Sequence, residues 1–484
     1  MIYRHLLAYL PLYAAQALVG FGSVVGFTRI LSPDDYGRYM MALSAAALLG
    51  TFVFTWLDAA IVRYHARSKA RGRLGGHLFT AIETYAVLAA LSLLVLAGVL
   101  FVWPMSGELK TLIAVSCTYA VLRSAVTLCV ETRRAAGEAW RYSLLETSST
   151  LMGFFLAIGI VLLTDLGPSG PFVGMAIASI LVFLFDAPIL MRKAKRDRAN
   201  SLRRATFIAF GAPVAISLVF EGLLTTSDRF IVAAILGEAA TGAYAAGYAI
   251  ADRSISIVFL WLGSATAPLM VIALENHDAE TTRKTARQTA KLMGLFGFPA
   301  ATGLALVSES AARLLIGEAL QEDAARVIPL IALSGLMNGI MTYYFHEAFT
   351  LGRQPKIMAG VMAGAAVFNV GLNFVLIPVF GIIGAALSTV VAYAGALIIC
   401  ILVGRRIFPL PIPFSDWVQT ALACALMAAG VLSLPTVEPV FTSLLLEIST
   451  GVLIFSLTAL ALNIADCRSF VTATLAARRK KAEA

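Results

Sequence analysis

Charge is scarce in this sequence. Of 484 residues, 37 are Lys or Arg and 28 are Asp or Glu, together 13%, where a soluble domain carries about 25%. With 59% apolar residues, that shortfall excludes a water-soluble globule. Cysteine is sparse as well. Cys117, Cys129, Cys400, Cys424 and Cys467 stand apart, with no C-x-x-C and no neighbouring histidine pair, so neither a disulfide framework nor a metal site is indicated. The 17 prolines and 38 glycines are too few and too scattered for a disordered or collagen-like chain. No Gly-Lys dipeptide occurs, which removes the phosphate-binding loop of a built-in ATPase. His346-Glu347-Ala348-Phe349-Thr350 starts like a zinc-protease motif but ends in Thr, so two histidines cannot share one helix face. There is no G-x-S-x-G, and the exterior loops are too short for an acceptor site. The sequence therefore reads as a non-enzyme without a cofactor.

Long apolar runs are what the chain has in abundance. Spans are expected near 8-30, 40-62, 78-102, 109-130, 143-164, 171-191, 206-227, 241-266, 292-308, 326-348, 356-378, 382-404, 416-434 and 442-464. At ~20 residues per crossing, this is an all-α polytopic membrane protein with about 14 transmembrane helices. The runs are continuous rather than alternating, which excludes barrel strands. Arg4 and Ala15-Gln16-Ala17 have features of a signal peptide. The apolar run continues to Phe27, too long for such a segment, so a retained first helix is expected.

A net charge of +9 raises the question of nucleic acid, but the excess lies in short blocks between apolar runs. No basic face belongs to a folded module, so no nucleic-acid partner is expected. Topology accounts for the pattern. The N-terminus, alternate loops and the tail hold 29 of the 37 basic residues, whereas the opposite side has only Arg29, Arg38, Lys110, Arg229, Arg313 and Arg326. The positive-inside rule then places both termini in the cytoplasm.

The chain also carries traces of duplication. Arg29 to Tyr39 lies over Ala234 to Tyr244 at an offset of 205, with Ile, Leu, Gly and Tyr coinciding, and Gly174-Met175-Ala176 lies over Gly384-Ala385-Ala386 at 210. Each offset equals six spans with their loops. Six is even, so the halves would share one orientation about an axis along the membrane normal. The expected organisation is an N-terminal six-helix lobe over 1-204, a second over 205-406, and two additional helices with a basic tail over 407-484.

Ionisable side chains inside spans are costly in hydrocarbon and face a bundle interior or an aqueous cavity. Asp252 and Arg253 fall near the midplane of the eighth span and Glu221 deep in the seventh; Arg123, Asp228 and Arg229 are less deep. Both a substrate or coupling-ion site and interhelical ion pairs are open readings for these six. Adjacent helical positions diverge by about 100°, so Asp252 and Arg253 are expected to have different partners. Arg253 and at least one of Arg123 and Arg229 are expected to face a shared hydrated interior. Glu83, Glu146, Asp186 and Glu347 lie close enough to span ends to pair with loop arginines. Pro11, Gly20, Gly22 and Gly26 in the first span, and Gly211, Pro213 and Gly222 in the seventh, suggest helices that bend in alternating access, or close packing alone. Gly360-x-x-x-Gly364 suggests close helix packing, and Asn369 and Asn373 suggest interhelical hydrogen bonds.

Asn369-Val-Gly-Leu-Asn373-Phe-Val-Leu-Ile-Pro378-Val-Phe-Gly381-Ile-Ile-Gly384-Ala-Ala resembles a segment of the polysaccharide-transport members of the MOP exporter superfamily, the Wzx-type lipid-linked oligosaccharide flippases. Thr28 to Gly37 is similar to that family's first exterior loop, and Asp228-Arg229-Phe230-Ile231 with Gly242 and Tyr244 to its seventh-to-eighth helix segment. The resemblance implies two six-helix lobes around a cavity that opens alternately to either side of a bacterial inner membrane. It implies an undecaprenyl-pyrophosphate-linked glycan as cargo, with membrane lipids and a polysaccharide polymerase as partners. A pyrophosphate would call on Arg123, Arg229 or Arg253, and a cation gradient on Glu221, Asp252 or Asp228. Asn369, Asn373, Pro378, Gly381 and Gly384 would be structural. A lipid II flippase, a drug exporter of the MATE branch with twelve spans, and a non-transporting scaffold for polysaccharide assembly are the rival readings.

Overall fold

The computed structural model describes residues 2–196, 200–275, 279–352, 354–435 and 437–469. Among them no strand occurs. Lipid offers no hydrogen-bond partner to the backbone, so a chain this apolar satisfies its amides within helices. Arg198, Arg353 and the basic tail from Arg478 to Lys481 lie outside the described residues.

The chain divides into two compact units, Met1–Gly242 and Ala243–Ala484. The first contains α1 (Ile2–Ile30), α2 (Pro33–Val53), α3 (Thr55–Ala70), α4 (Leu74–Val102), α5 (Gly107–Ala135), α6 (Ala139–Leu163), α7 (Gly170–Lys193) and α8 (Asn200–Leu236). Helix α9 (Glu238–Glu275) carries the chain into the second unit. There follow α10 (Ala279–Leu306), α11 (Ser308–Leu315), α12 (Gln321–Ile340), α13 (His346–Leu351), α14 (Pro355–Phe380), α15 (Ile382–Ile407), α16 (Phe414–Leu432) and α17 (Val440–Ala461). Thirteen helical segments are long and apolar enough to cross a membrane, and α2 with α3 forms one further, bent span. Each of the fourteen expected spans has its counterpart.

In the first unit α6 packs along α7 and α1, α5 along α7, and α2 and α3 against α8. Small residues allow the closest approach: a Cβ on Gly174 of α7 would lie 2.3 Å from the backbone nitrogen of Ala157 on α6. Helix α2 starts at a cap, where the Ser32 hydroxyl accepts from the Asp35 amide at 3.2 Å with Pro33 and two acids in the first turn. That cap is the Ser-Pro-Asp-Asp of the family-like loop. Gly37, five residues on, meets the start of α9; a Cβ there would lie 1.9 Å from the Glu238 carbonyl oxygen. Gly242, its counterpart in the internal match, would place a Cβ 2.8 Å from the Pro33 carbonyl oxygen.

Two local expectations, at Gly360 and Gly364 and at Asn369 and Asn373, are overturned. Helices α1 and α8 run unbroken through Pro11 and Pro213. The sharp bend is instead 45° between α2 and α3, at Phe54, where no proline or glycine stands. Phe54 is buried against the Tyr85 ring at 5.4 Å, so aromatic packing holds the bend. Gly360 and Gly364 face open space, where an added Cβ would meet nothing within 4 Å among the described residues. Asn369 and Asn373 bond each other along α14, Nδ2 of Asn373 donating to Oδ1 of Asn369 at 3.1 Å, rather than bridging helices. Both are fully buried, and Nδ2 of Asn369 and Oδ1 of Asn373 have no partner among the described residues.

The rest of that segment is a helix junction. Gly381 closes α14 at φ +62°, a left-handed conformation suited to glycine, its amide donating to Ile377 at 2.9 Å. Pro378 sits in the last turn of α14, where the helix is about to end and a ring that cannot continue it does little harm. Gly384 then lets α15 fold back: a Cβ would lie 2.2 Å from the Leu376 carbonyl oxygen.

Candidate substrate and coupling sites

Arg123 projects from α5 towards α6. Its Nη2 pairs with Glu146 and its Nη1 donates to the Ser149 hydroxyl at 3.1 Å. Arg123 and Ser149 border a cavity of 190 Å³ with Phe27, Tyr39, Tyr119 and Phe154 in its wall. Glu146 thus balances Arg123 within the first unit, the arrangement of an ion pair between helices.

Asp228 and Arg229 lie on α8 where it packs on α2. The Arg229 Nη1 donates to the Ser44 hydroxyl at 2.7 Å, and Ser44 donates to the Met40 carbonyl at 2.9 Å. Asp228 is fully buried, its carboxylate accepting from the Arg229 amide at 2.8 Å. Glu221, seven residues earlier on the same helix, is exposed and makes no ion pair among the described residues. Structure therefore gathers Asp228, Arg229 and Ser44 into one cluster and gives Arg123 a separate partner. Asp252 and Arg253 belong to α9 in the second unit, each partly buried and each engaged with neighbours.

Acids near the span ends take loop or helix-end arginines. Glu83 meets Arg204 at 2.6 Å. Fully buried Asp186 accepts from the Nε of buried Arg133 at 3.0 Å and from Nη2 of Arg141 at 2.7 Å, tying α7 to α5 and α6. At the opposite end of the unit Arg38 reaches Asp35 and Glu108 at 3.7 Å and Glu238 at 3.3 Å. These groups border a cavity of 820 Å³ between α2, α5 and α8.

The second unit contains a feature that residue-by-residue reading of charge does not find. Helices α10, α16 and α17 enclose a groove of 1290 Å³ whose walls are almost wholly apolar, among them Phe296, Pro299, Met427 and Phe455. Two acids line it: Asp466, which pairs with Lys291 at 3.0 Å, and Glu447 of α17. The Oε1 of Glu447 accepts from Ser310 at 2.8 Å and Ser443 at 2.9 Å, while its Oε2 is buried without a partner among the described residues. The groove draws small and large apolar residues from three distant segments, so no window of sequence reveals it. Among the described residues no group of acids, histidines and cysteines is placed to hold a metal ion.

The fold is shared with solved structures. It superposes on the lipid II flippase MurJ in its inward closed conformation with a TM-score of 0.80 at 15% identity, covering 96% of this chain and 100% of that one. An inward-facing multidrug-resistance MATE transporter of the MOP superfamily matches with a TM-score of 0.62 at 14% identity, over 81% and 93% of the two chains. A MOP-superfamily transporter from Pyrococcus furiosus matches with a TM-score of 0.55 at 15% identity, over 84% and 94%. At such identities the likeness is one of fold. No curated protein matches by sequence. The family model for polysaccharide biosynthesis proteins aligns with residues 27–324. The first exterior loop and the Asp228-Arg229 segment both fall inside that range, and the chain belongs to the polysaccharide biosynthesis protein family.

Proposed function

We propose that this protein is a flippase that moves a lipid-linked saccharide across a membrane for polysaccharide assembly. The observation that carries the reading is the apolar groove of 1290 Å³. A saccharide needs polar walls, whereas a polyprenyl chain is stabilised by apolar surface at about 25 cal/mol per Å². The groove rests on α16 and α17, the pair that a twelve-span drug exporter lacks, and this favours a lipid-tailed cargo over a MATE-like one. Family membership supports polysaccharide over peptidoglycan precursor, so an undecaprenyl-pyrophosphate-linked oligosaccharide is preferred to lipid II. The scaffold reading leaves the groove without a use.

In this proposal two six-helix lobes, 1-204 and 205-406, work by alternating access in a bacterial inner membrane. Both termini are cytoplasmic and a polysaccharide polymerase receives the product. Arg253 and Arg229 bind the pyrophosphate; Arg123 contributes less because Glu146 already balances it. Glu221, Asp252 or Asp228 couples transport to a cation gradient, Glu221 foremost because it is exposed and makes no ion pair.

Arg253 supplies the test. Arg253→Ala should abolish flipping of a fluorescent lipid-linked glycan in vesicles while the purified protein melts normally, and Arg253→Lys should stay partly active, keeping the charge but not the planar fork. If Arg253 instead serves only a neighbouring acid, its loss should lower stability by about 3–5 kcal/mol. A variant that melts normally and still flips ends both roles.

A further inference from the structure

We propose that residues 463–467, which follow α17, form a strap that closes one end of the apolar groove and swings aside when an apolar chain enters or leaves it. Ala465, Asp466 and Cys467 line the groove beyond the last turn of α17, with Gln288 and Leu292 of α10. Glu447 lines it near the start of α17, so the groove follows most of that helix. The strap turns back at once, with φ of +54° at Asn463, +51° at Ala465 and +63° at Asp466. Asn and Asp tolerate this left-handed conformation, but for Ala the Cβ crowds the backbone. The closed strap is therefore under strain.

Contacts on two sides offset that strain. Ile464 and Ala465 are buried in a cluster with Leu295 of α10, Ala423 of α16 and Ala459 of α17. Lys291 of α10, its side chain 16% exposed, bridges Asp416 of α16 at 3.2 Å and Asp466 of the strap at 3.0 Å. The Asp466 side chain is 58% exposed, so water competes for this pair and keeps it weak. A strained backbone held by a small apolar cluster and a weak ion pair opens at modest cost. The helices beneath have their own tie, since Nε1 of Trp417 on α16 donates to the Ala290 carbonyl of α10 at 2.9 Å. Opening the strap thus uncovers the end of the groove while α10 and α16 stay joined. That a polyprenyl chain uses this passage rests on the flippase reading above; the strap itself does not.

Thiol labelling of the purified full-length protein in phosphatidylcholine nanodiscs tests it. Ile464 is 0% exposed, so in a variant whose five native cysteines are replaced by Ala, Ile464→Cys reacts with N-ethylmaleimide only when the strap lifts. Adding Lys291→Gln to this background should speed the reaction about fivefold, the scale of one partly exposed ion pair. Should that variant fold poorly, Asp466→Asn removes the same pair from its exposed end and should act likewise. Asp416→Asn leaves the Lys291–Asp466 pair in place and should stay near the background rate. Ala465→Gly should slow the reaction about two- to threefold, because glycine adopts positive φ without strain and gives up only one methyl. Loss of the Lys291–Asp466 pair without effect, or faster reaction in Ala465→Gly, overturns the strap. Undecaprenyl phosphate added to the nanodiscs should also speed the reaction, since an entering chain lifts the strap. A rise with Lys291→Gln but none with the lipid keeps the strap and removes the polyprenyl chain from the groove. A rise with the lipid but none with Lys291→Gln keeps the groove's cargo and overturns the Lys291 latch.

Discussion

A buried charge in this protein is interpretable only through its partner. Arg133 is 2% exposed and Asp186 0%, so each is tolerable only because it is paired, Asp186 with Arg133 and Arg141, and Arg133 with Asp186 and Glu138. Removing one member of such a pair costs about 3–5 kcal/mol, whereas replacing both by apolar groups of similar volume is close to neutral. Asp186→Ala should therefore lower the melting temperature in detergent sharply, and Asp186→Leu with Arg133→Met should recover most of the loss. A single variant that melts like wild type would show that Glu138 and water suffice for the arginines that Asp186 leaves behind. At this scale the sequence was informative about which residue types matter and poor about pairing. Arg123 and Glu146 lie 23 positions apart on different helices, and nothing in either span distinguishes a cargo-binding arginine from one matched to an acid next door. Asn369 and Asn373 were legible as a pair because four residues is one helical turn, yet their bond runs along the helix.

Among elements, glycine spacing proved a weak guide to contact. The Gly360-x-x-x-Gly364 pattern sits in open space, while isolated Gly174 lies against the backbone of Ala157. A helical face is set by the whole bundle, and a four-residue repeat says only that two residues share a face. The consequence is a contrast between two substitutions. Gly174→Val has no room, so α6 and α7 must separate, with a loss of about 1–3 kcal/mol or more. Gly364→Ala meets nothing within 4 Å and should be neutral or slightly stabilising, by at most ~1 kcal/mol from helix propensity. Thermal melting of both in one detergent checks this, and equal losses would refute the contact assignment. The bend at Phe54 follows the same logic: proline and glycine mark where a helix can break, but α1 and α8 are continuous through theirs, since neighbouring groups in a bundle can re-satisfy the carbonyl that a proline frees.

For the whole molecule, hydropathy made the fourteen spans legible, because a run of about 20 apolar residues has few alternatives to a crossing helix. The groove of α10, α16 and α17 was not legible, since it depends on how α10 comes together with a helix pair far from it in sequence. Orientation is the remaining global property, and it follows from a different physical effect, the preference of basic loops for the cytoplasmic side. In a variant with all five cysteines replaced by Ala or Ser, single cysteines at Lys69 and Lys195 should escape a membrane-impermeant maleimide in intact cells. One at Glu318 should react. All three native residues are exposed, so failure to label reports the membrane rather than burial. Permeabilised cells should label all three positions, which separates sidedness from local reactivity. Reaction of Lys69→Cys and Lys195→Cys in intact cells, with Glu318→Cys silent, would invert the orientation. It would also require the charge bias between loops to have a cause other than membrane insertion.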